Sequence, residues 1–365
     1  MITLPYLCLV LSGPTATLPG MTAGAGETGR GRAGSTSLGD VARLAGVSTQ
    51  TASRVSSGAP NVRPATRDKV LKAMNQLGYV PNRAAQALRR GSFKAIGVLT
   101  QQIERTGESL TIAGVLDAAT RANYTVSLVQ VQHPDSSDLD EAVHRLSHQA
   151  VDGLVVVQAG RAGAEHLSLS AGLPVAVSDS ALASHYPSAS ADQVQGVRDA
   201  VGHLLSLGHR TVHHVCGPPD SQSAMVRQGS WAACLQESGR VAPQPLQGDW
   251  TAAAGYAAGL RLAEDPGVTA VFCANDEQAL GLVRALHESG RNVPQDVSVV
   301  GFDGLPLGEY SFPPLTTVHQ DFHRHGTEMV RLILEQVSSG TTRDVRSVVI
   351  PTELIVRSST APAPA

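Results

Sequence analysis

From Ala95 onward the chain alternates short apolar runs with stretches long enough for a helix, and this alternation leaves few folds open. Ala95 to Leu99, Thr125 to Val131, Gly153 to Val157, Pro174 to Val177, Thr211 to Cys216, Ala270 to Cys273 and Val297 to Phe302 read as strands. Short, largely apolar runs belong to strands buried on both faces, and the helical stretches between them make the sheets parallel. The segment is long for one such unit. An α/β body of two doubly wound lobes with a ligand cleft between them is therefore expected.

The net charge of -3 conceals a segregation. Ser35 to Lys94 holds ten Lys/Arg against Asp40 and Asp68, a balance of +8, whereas Ala95 to the end holds 16 Arg, no Lys and 28 acids, a balance of -12. A basic head on an acidic body is the arrangement of a polyanion binder. A merely solvated charged face accounts for the basic residues but not for their segregation. Cys8, Cys216, Cys234 and Cys273 are scattered without a CxxC pair, which fits a reducing compartment and neither a disulfide framework nor a zinc site. The apolar run Met1 to Leu11 looks like the middle of a secretory signal, yet it lacks a basic start and is too short to span a bilayer. Residues 1–34 read as a disordered leader or an upstream false start, with Met21 as an alternative beginning.

Asp40 to Ala45 reads as a helix with Asp40 as its cap, broken by Gly46-Val47-Ser48, after which Ser48 caps a second helix over Thr49 to Val55. Two short helices around a three-residue turn make a helix-turn-helix, whose second helix presents its N-terminal side chains to base edges in the DNA major groove. Thr49, Gln50, Thr51 and Arg54 are the groove candidates. Val41, Ala45, Val47 and Val55 belong to a small core.

Asp40-Val41-Ala42, Ala45-Gly46-Val47-Ser48, Thr51, Ser53-Arg54-Val55, Val62-Arg63, Thr66-Arg67, Leu77-Gly78-Tyr79 and Pro81-Asn82-Arg83-Ala84-Ala85 follow one another in order. With this run the chain resembles the LacI/GalR family of transcriptional regulators. The likeness continues through Asp192, Gly208-His209-Arg210, Gly248-Asp249-Trp250, Asn275-Asp276, Asp296 to Asp303 and Pro314 to Val318, so it covers nearly everything from Leu38 to about Val356. It implies an all-α helix-turn-helix head (35–81), a hinge helix and linker (82–94), and a periplasmic-binding-protein-like sensor (95–357) followed by a flexible tail (358–365). The first lobe is expected at 95–191 with a return near 319–345, and the second at 192–318 with the C-terminal segment.

The resemblance makes Asn82, Arg83, Gln86, Leu88 and Arg89 DNA-contacting hinge residues, with Leu88 as a wedge in the minor groove; the other reading has Leu88 packing on the body. In open α/β sheets ligands bind beyond the carboxyl ends of the strands, and a polyol needs planar polar partners and an aromatic face. Asp179, Arg227, Asn275 and Asp303 satisfy that rule, and Trp250 offers the face. Gln320 joins them by resemblance. For Asn275 and Asp303 the alternative is a cap or turn role, and Asp276 reads as the cap of the helix that follows it.

Gly24, Gly26 and Gly29 have dinucleotide-loop spacing, but no strand precedes them. His319, His323 and His325 have metal-like spacing without partners and read as surface or crossover histidines. The expectation is a cytoplasmic repressor without cofactor, metal, membrane contact or enzymatic activity. Its partners are palindromic operator DNA, a sugar-like effector and a second copy in a homodimer. A secreted sugar-binding protein of a transport system is the rival reading, and it leaves the basic head unexplained.

Overall fold

The computed structural model describes residues 36–80, 92–131, 141–142, 146, 151–157, 172–178, 180–341 and 345–364. The chain divides into two compact units, Met1–Asn82 and Arg83–Ala365. The leader and residues 81–91, and with them Asn82, Arg83, Gln86, Leu88 and Arg89, lie outside the described residues, as does Asp179.

In the first unit α1 (Leu38–Ala45), α2 (Thr49–Ser56) and α3 (Pro64–Leu77) enclose Val41, Ala42, Ala52, Val55, Val70, Ala73 and Met74. α1 starts before Asp40. Ser37 is the N-cap, accepting from the Asp40 N–H, while the Asp40 carboxylate takes the Ser37 N–H at 3.0 Å, so Asp40 closes a capping box and is not itself the cap. Gly46 ends the helix in the left-handed conformation at φ 65.

The second unit carries two sheets. β1 (Ala95–Thr100), β2 (Thr125–Gln130), β3 (Gly153–Val157), β4 (Val175–Ser178), β5 (Ser188–Ala191) and β10 (Ser347–Ile350) form a six-stranded parallel sheet in the order β10-β5-β4-β3-β1-β2. β6 (His213–Val215), β7 (Ala270–Cys273), β8 (Ser298–Asp303), β9 (Thr316–His319) and β11 (Glu353–Ile355) form the other sheet, parallel except for β11 at one edge. The described helices of this unit are α4 (Thr106–Arg121), α5 (Gln193–Ser206), α6 (Gln222–Glu237), α7 (Ala252–Ala263), α8 (Asp276–Glu288) and α9 (Phe322–Ser339). α9 packs on α4 and the first sheet through Met329, Val330, Leu332 and Ile333, so the chain returns to the first lobe after β9. That return runs on through β10 to Ile350, beyond the expected limit near 345.

Residues 358–364 do not hang free. Ser359 is fully buried, donating to the Val299 carbonyl at 2.6 Å and accepting from the Thr316 N–H at 2.8 Å, and Ala363 N–H bonds the Leu207 carbonyl. A serine and backbone amides fasten this segment where an apolar pattern would have been the visible sign.

Candidate functional site

On the head, Thr49, Gln50 and Arg54 are exposed along α2 while Ala52 and Val55 face the core. Ser48 caps the helix through the Thr51 N–H at 3.1 Å, and its hydroxyl also meets the Thr51 hydroxyl at 2.9 Å. Thr51 thus spends its side chain on the cap and is half-buried, leaving Thr49, Gln50 and Arg54 as the accessible set.

On the body, a cleft of about 280 Å³ is lined by both lobes. The second lobe supplies Ser223, Arg227, Asp249, Trp250, Thr251, Asn275, Glu277 and Asp303, the first lobe supplies Gln102 to Glu108 apart from Ile103, and Gln320 and Phe322 lie where the chain crosses between them. Five of the six expected effector residues therefore come together here: Arg227, Trp250, Asn275, Asp303 and Gln320.

Four buried side chains, three of them lining the cleft, close a ring. Arg227 donates through Nε to Gln193 Oε1 at 2.8 Å, Gln193 Nε2 donates to Gln320 Oε1 at 3.0 Å, and Gln320 Nε2 donates to Asp303 Oδ1 at 2.7 Å. Arg227 Nη1 completes it at 3.3 Å from the same Asp303 oxygen and also donates to the Ala274 carbonyl. The guanidinium lies 3.9 Å from the Phe302 ring centroid and 5.4 Å from that of Trp250. Polar groups shut away from water must be paired, and this ring pairs them while fixing the guanidinium plane at the floor of the cleft. Burial pushes the Asp303 carboxyl up to about 6, although Arg227 pulls it back.

The backbone is unusual at two of these residues. Trp250 has φ 76 and Asp303 φ 110, conformations that cost non-glycine residues on the order of 1–3 kcal/mol and persist where surroundings enforce them. For Trp250 the enforcement is visible: Asn275 Nδ2 donates to its carbonyl at 3.0 Å, and its indole covers Gly217, where a Cβ would come within 2.4 Å.

Asn275, not Asp276, caps α8, accepting the Gln278 N–H at 3.0 Å. Asp276 is wholly buried instead, its oxygens taking the Thr317 hydroxyl at 2.5 Å and the Leu305 N–H at 2.7 Å, which ties α8 to the ends of β8 and β9. Burial, then the neighbouring Asp303, pushes its carboxyl up to about 8. α7 and α8 bring these groups together by crossing at two glycines: a Cβ on Gly281 would stand 1.9 Å from the Ala252 carbonyl oxygen, and one on Gly255 2.0 Å from that of Gln278.

Sequence reasoning missed Gln193 and the whole first-lobe wall. The available signal was the same strand-end rule: Gln101 to Glu108 follow the carboxyl end of β1. Of the three spaced histidines, His323 is exposed and meets Asp117 at 3.1 Å, whereas His325 is buried against the Phe322 ring, contrary to the surface reading. Among the described residues no His/Cys/Asp/Glu group could hold a metal ion, and no helix is long and apolar enough to cross a membrane.

A helix-turn-helix unit and a two-lobed α/β body with a polar, aromatic-walled cleft define a DNA-binding regulator with a sensor domain. Comparison with known proteins says which. Residues 37–82 match the model of bacterial regulatory proteins of the lacI family, and 201–360 match a periplasmic binding protein-like domain. The lactose operon repressor of Escherichia coli is 34% identical over 335 residues, covering 88% of this chain and 89% of that protein. The transcriptional regulator CelR of Thermobifida fusca is 34% identical over 331 residues, covering 87% and 96%. Among solved structures, a Lac repressor dimer bound to operator and the anti-inducer ONPF superposes with a TM-score of 0.81 at 32% identity, over 89% of this chain and 99% of that one. A CelR–cellobiose complex superposes with a TM-score of 0.67 at 30% identity, over 89% and 99%. The chain belongs to the LacI family. It is a transcriptional regulator and not an enzyme.

Proposed function

We propose that this regulator is a cytoplasmic homodimeric repressor that binds a palindromic operator through Thr49, Gln50 and Arg54, with Thr51 holding the cap of that helix, and whose affinity is set by a sugar-like effector in the cleft. The closed ring of Arg227, Gln193, Gln320 and Asp303 beneath the Trp250 face carries the effector reading. Planar polar groups held rigid beside an aromatic plane suit a pyranose or furanose, with hydroxyls for the polar side and an apolar ring face for the indole. The cleft volume of about 280 Å³ lies near the lower end of small-molecule sites, roughly 300–1,000 Å³, which suits one or two sugar rings. The relatives support the class of partner: one Lac repressor structure is a dimer on operator DNA, and the CelR structure holds cellobiose. The hinge role of Asn82, Arg83, Gln86, Leu88 and Arg89, and an effector contact by Asp179, are kept as parts of this proposal.

The test pairs two readouts on the full chain. Arg227→Ala and Asp303→Ala should each remove the effector response while operator binding survives, since the loss leaves buried partners of the ring unpaired at about 1–3 kcal/mol or more. Unchanged effector affinity in both variants, by calorimetry, would remove the ring from the site. Leu88→Ala should lose specific operator affinity with the melting temperature of the body retained; a variant that melts early and binds operator normally would place Leu88 in the core instead.

A further inference from the structure

We infer that the cleft selects an uncharged, hydroxyl-rich saccharide and rejects sugar phosphates and sugar acids, with Glu104 and Glu277 as the residues that set this preference. The inference rests on the effector reading above and narrows its ligand class. Five carboxylates line the cleft against two arginines. Both arginines face acids of the same wall: Arg227 stands 3.3 Å from Asp303, and Arg105 Nη1 stands 3.8 Å from Glu108 Oε1. Glu104, Asp249 and Glu277 have no ion pair among the described residues. Asp249 accepts from the N–H and hydroxyl of Thr251, and Glu277 accepts the Thr106 hydroxyl, so neither has a cation to lend to an incoming anion.

Hydrogen-bonding capacity points the same way. The Glu108 side chain is wholly enclosed. Its Oε2 is saturated by the Thr100 hydroxyl at 2.5 Å and the N–H groups of Gln101 and Gln102 at 3.1 and 2.9 Å, while Oε1, equally buried, accepts no hydrogen bond. The lining thus holds more carboxylates than cations, and the guanidinium of Arg227 is engaged by Gln193, Ala274 and Asp303. Sugar hydroxyls bring donors without charge; a phosphate or carboxylate brings further acceptors and a charge of the repelled sign. At separations of several ångströms near a protein surface, each uncompensated carboxylate disfavours an anion by roughly tenfold.

The experiment titrates the full-length protein with ribose, lactose and cellobiose, and with ribose 5-phosphate, glucose 6-phosphate and glucuronate, by calorimetry and thermal shift at low and moderate salt. The expected best ligand is a neutral sugar whose affinity ignores salt. The charged probes should bind at least about tenfold more weakly and gain as salt screens the wall. Glu104→Gln combined with Glu277→Gln should narrow that gap. A charged probe that binds best would overturn the inference and leave the effector reading standing. A gap that neither salt nor the double variant narrows would assign the rejection to shape and overturn the role of these carboxylates. Failure of all six probes to bind would overturn inference and effector reading together, with operator binding unaffected.

Discussion

Asp276 shows how far a single residue's role depends on what surrounds it. Its place after a strand and before a helix reads as a cap, and the neighbour with the extended backbone, Asn275, takes that role. Asp276 is left inside, where burial raises its carboxyl to about 8. The folded state therefore holds a proton that the unfolded chain, with a carboxyl near 3.8, has already released. Stability that this proton supplies at low pH is lost as pH rises through about 8. His214, lowered to about 4 by burial, acts in the opposite sense, but only below the ordinary histidine range near 6.5, where an unfolded chain gains a proton that the folded one refuses. Between about pH 6.5 and about pH 9 the carboxylate effect stands alone of the two, and unfolding free energy should fall with a slope of order 1 kcal/mol per pH unit below the midpoint. Asp276→Asn should flatten that slope whatever it does to absolute stability. Denaturant titrations across the pH series check this, and an unchanged slope in the variant would remove Asp276 as its source.

At the scale of elements, what was legible in the sequence followed how strongly each segment had to be apolar. β3 and β7 are buried throughout and stood out as apolar runs, whereas β5 is Ser-Ala-Ser-Ala and hides a buried strand in small residues. β10 and β11 lie at sheet edges with exposed positions, and their apolar runs, Val348 to Ile350 and Leu354 to Val356, are only three residues long. The candidate effector residues of the second lobe were readable because Asn275 and Asp303 stand at the carboxyl ends of buried apolar strands. The first-lobe wall was not, because Glu104 to Glu108 look like the ordinary polar start of a helix. Helix termini carry their own test. Ser37 caps α1 and holds Asp40 through a hydroxyl contact of 2.7 Å, in a head whose core is only a few small side chains. Ser37→Ala should cost about 1 kcal/mol and lower the melting temperature of the head, with a parallel loss of operator affinity. Ser37→Asp, which keeps a capping oxygen, should recover part of it. Equal melting of wild type and Ser37→Ala, followed by circular dichroism on the full chain, would mean that the head does not depend on this cap.

In the molecule as a whole, the chain passes between the sheets three times, from β5 to α5, from β9 to α9 and from β10 to β11. Two members of the cleft's ring sit at these passages: Gln193 is the first residue of α5, and Gln320 follows β9 directly. The passages are bonded to one another as well, since Asp192 N–H donates to the Ile350 carbonyl at 2.9 Å and the Thr352 hydroxyl to the Asp192 carbonyl at 3.2 Å. A ligand that engages Asp303 and Gln320 therefore acts on the segments about which the lobes would turn, which is where differential binding between two settings becomes a change in their populations. Across the mouth of the cleft the Thr106 hydroxyl donates to Glu277, joining the start of α4 in the first lobe to the start of α8 in the second. This contact is lost if the lobes part. Thr106→Val should therefore raise the effector concentration needed for half-response by about two- to tenfold, the equivalent of one hydrogen bond of roughly 0.5–1.5 kcal/mol. Glu277→Ala should do the same, and the two together should do little more than either alone, because each removes the same contact. Additive losses in that double-mutant cycle would show that the two side chains meet the ligand separately and that no hydrogen bond between them holds the cleft shut.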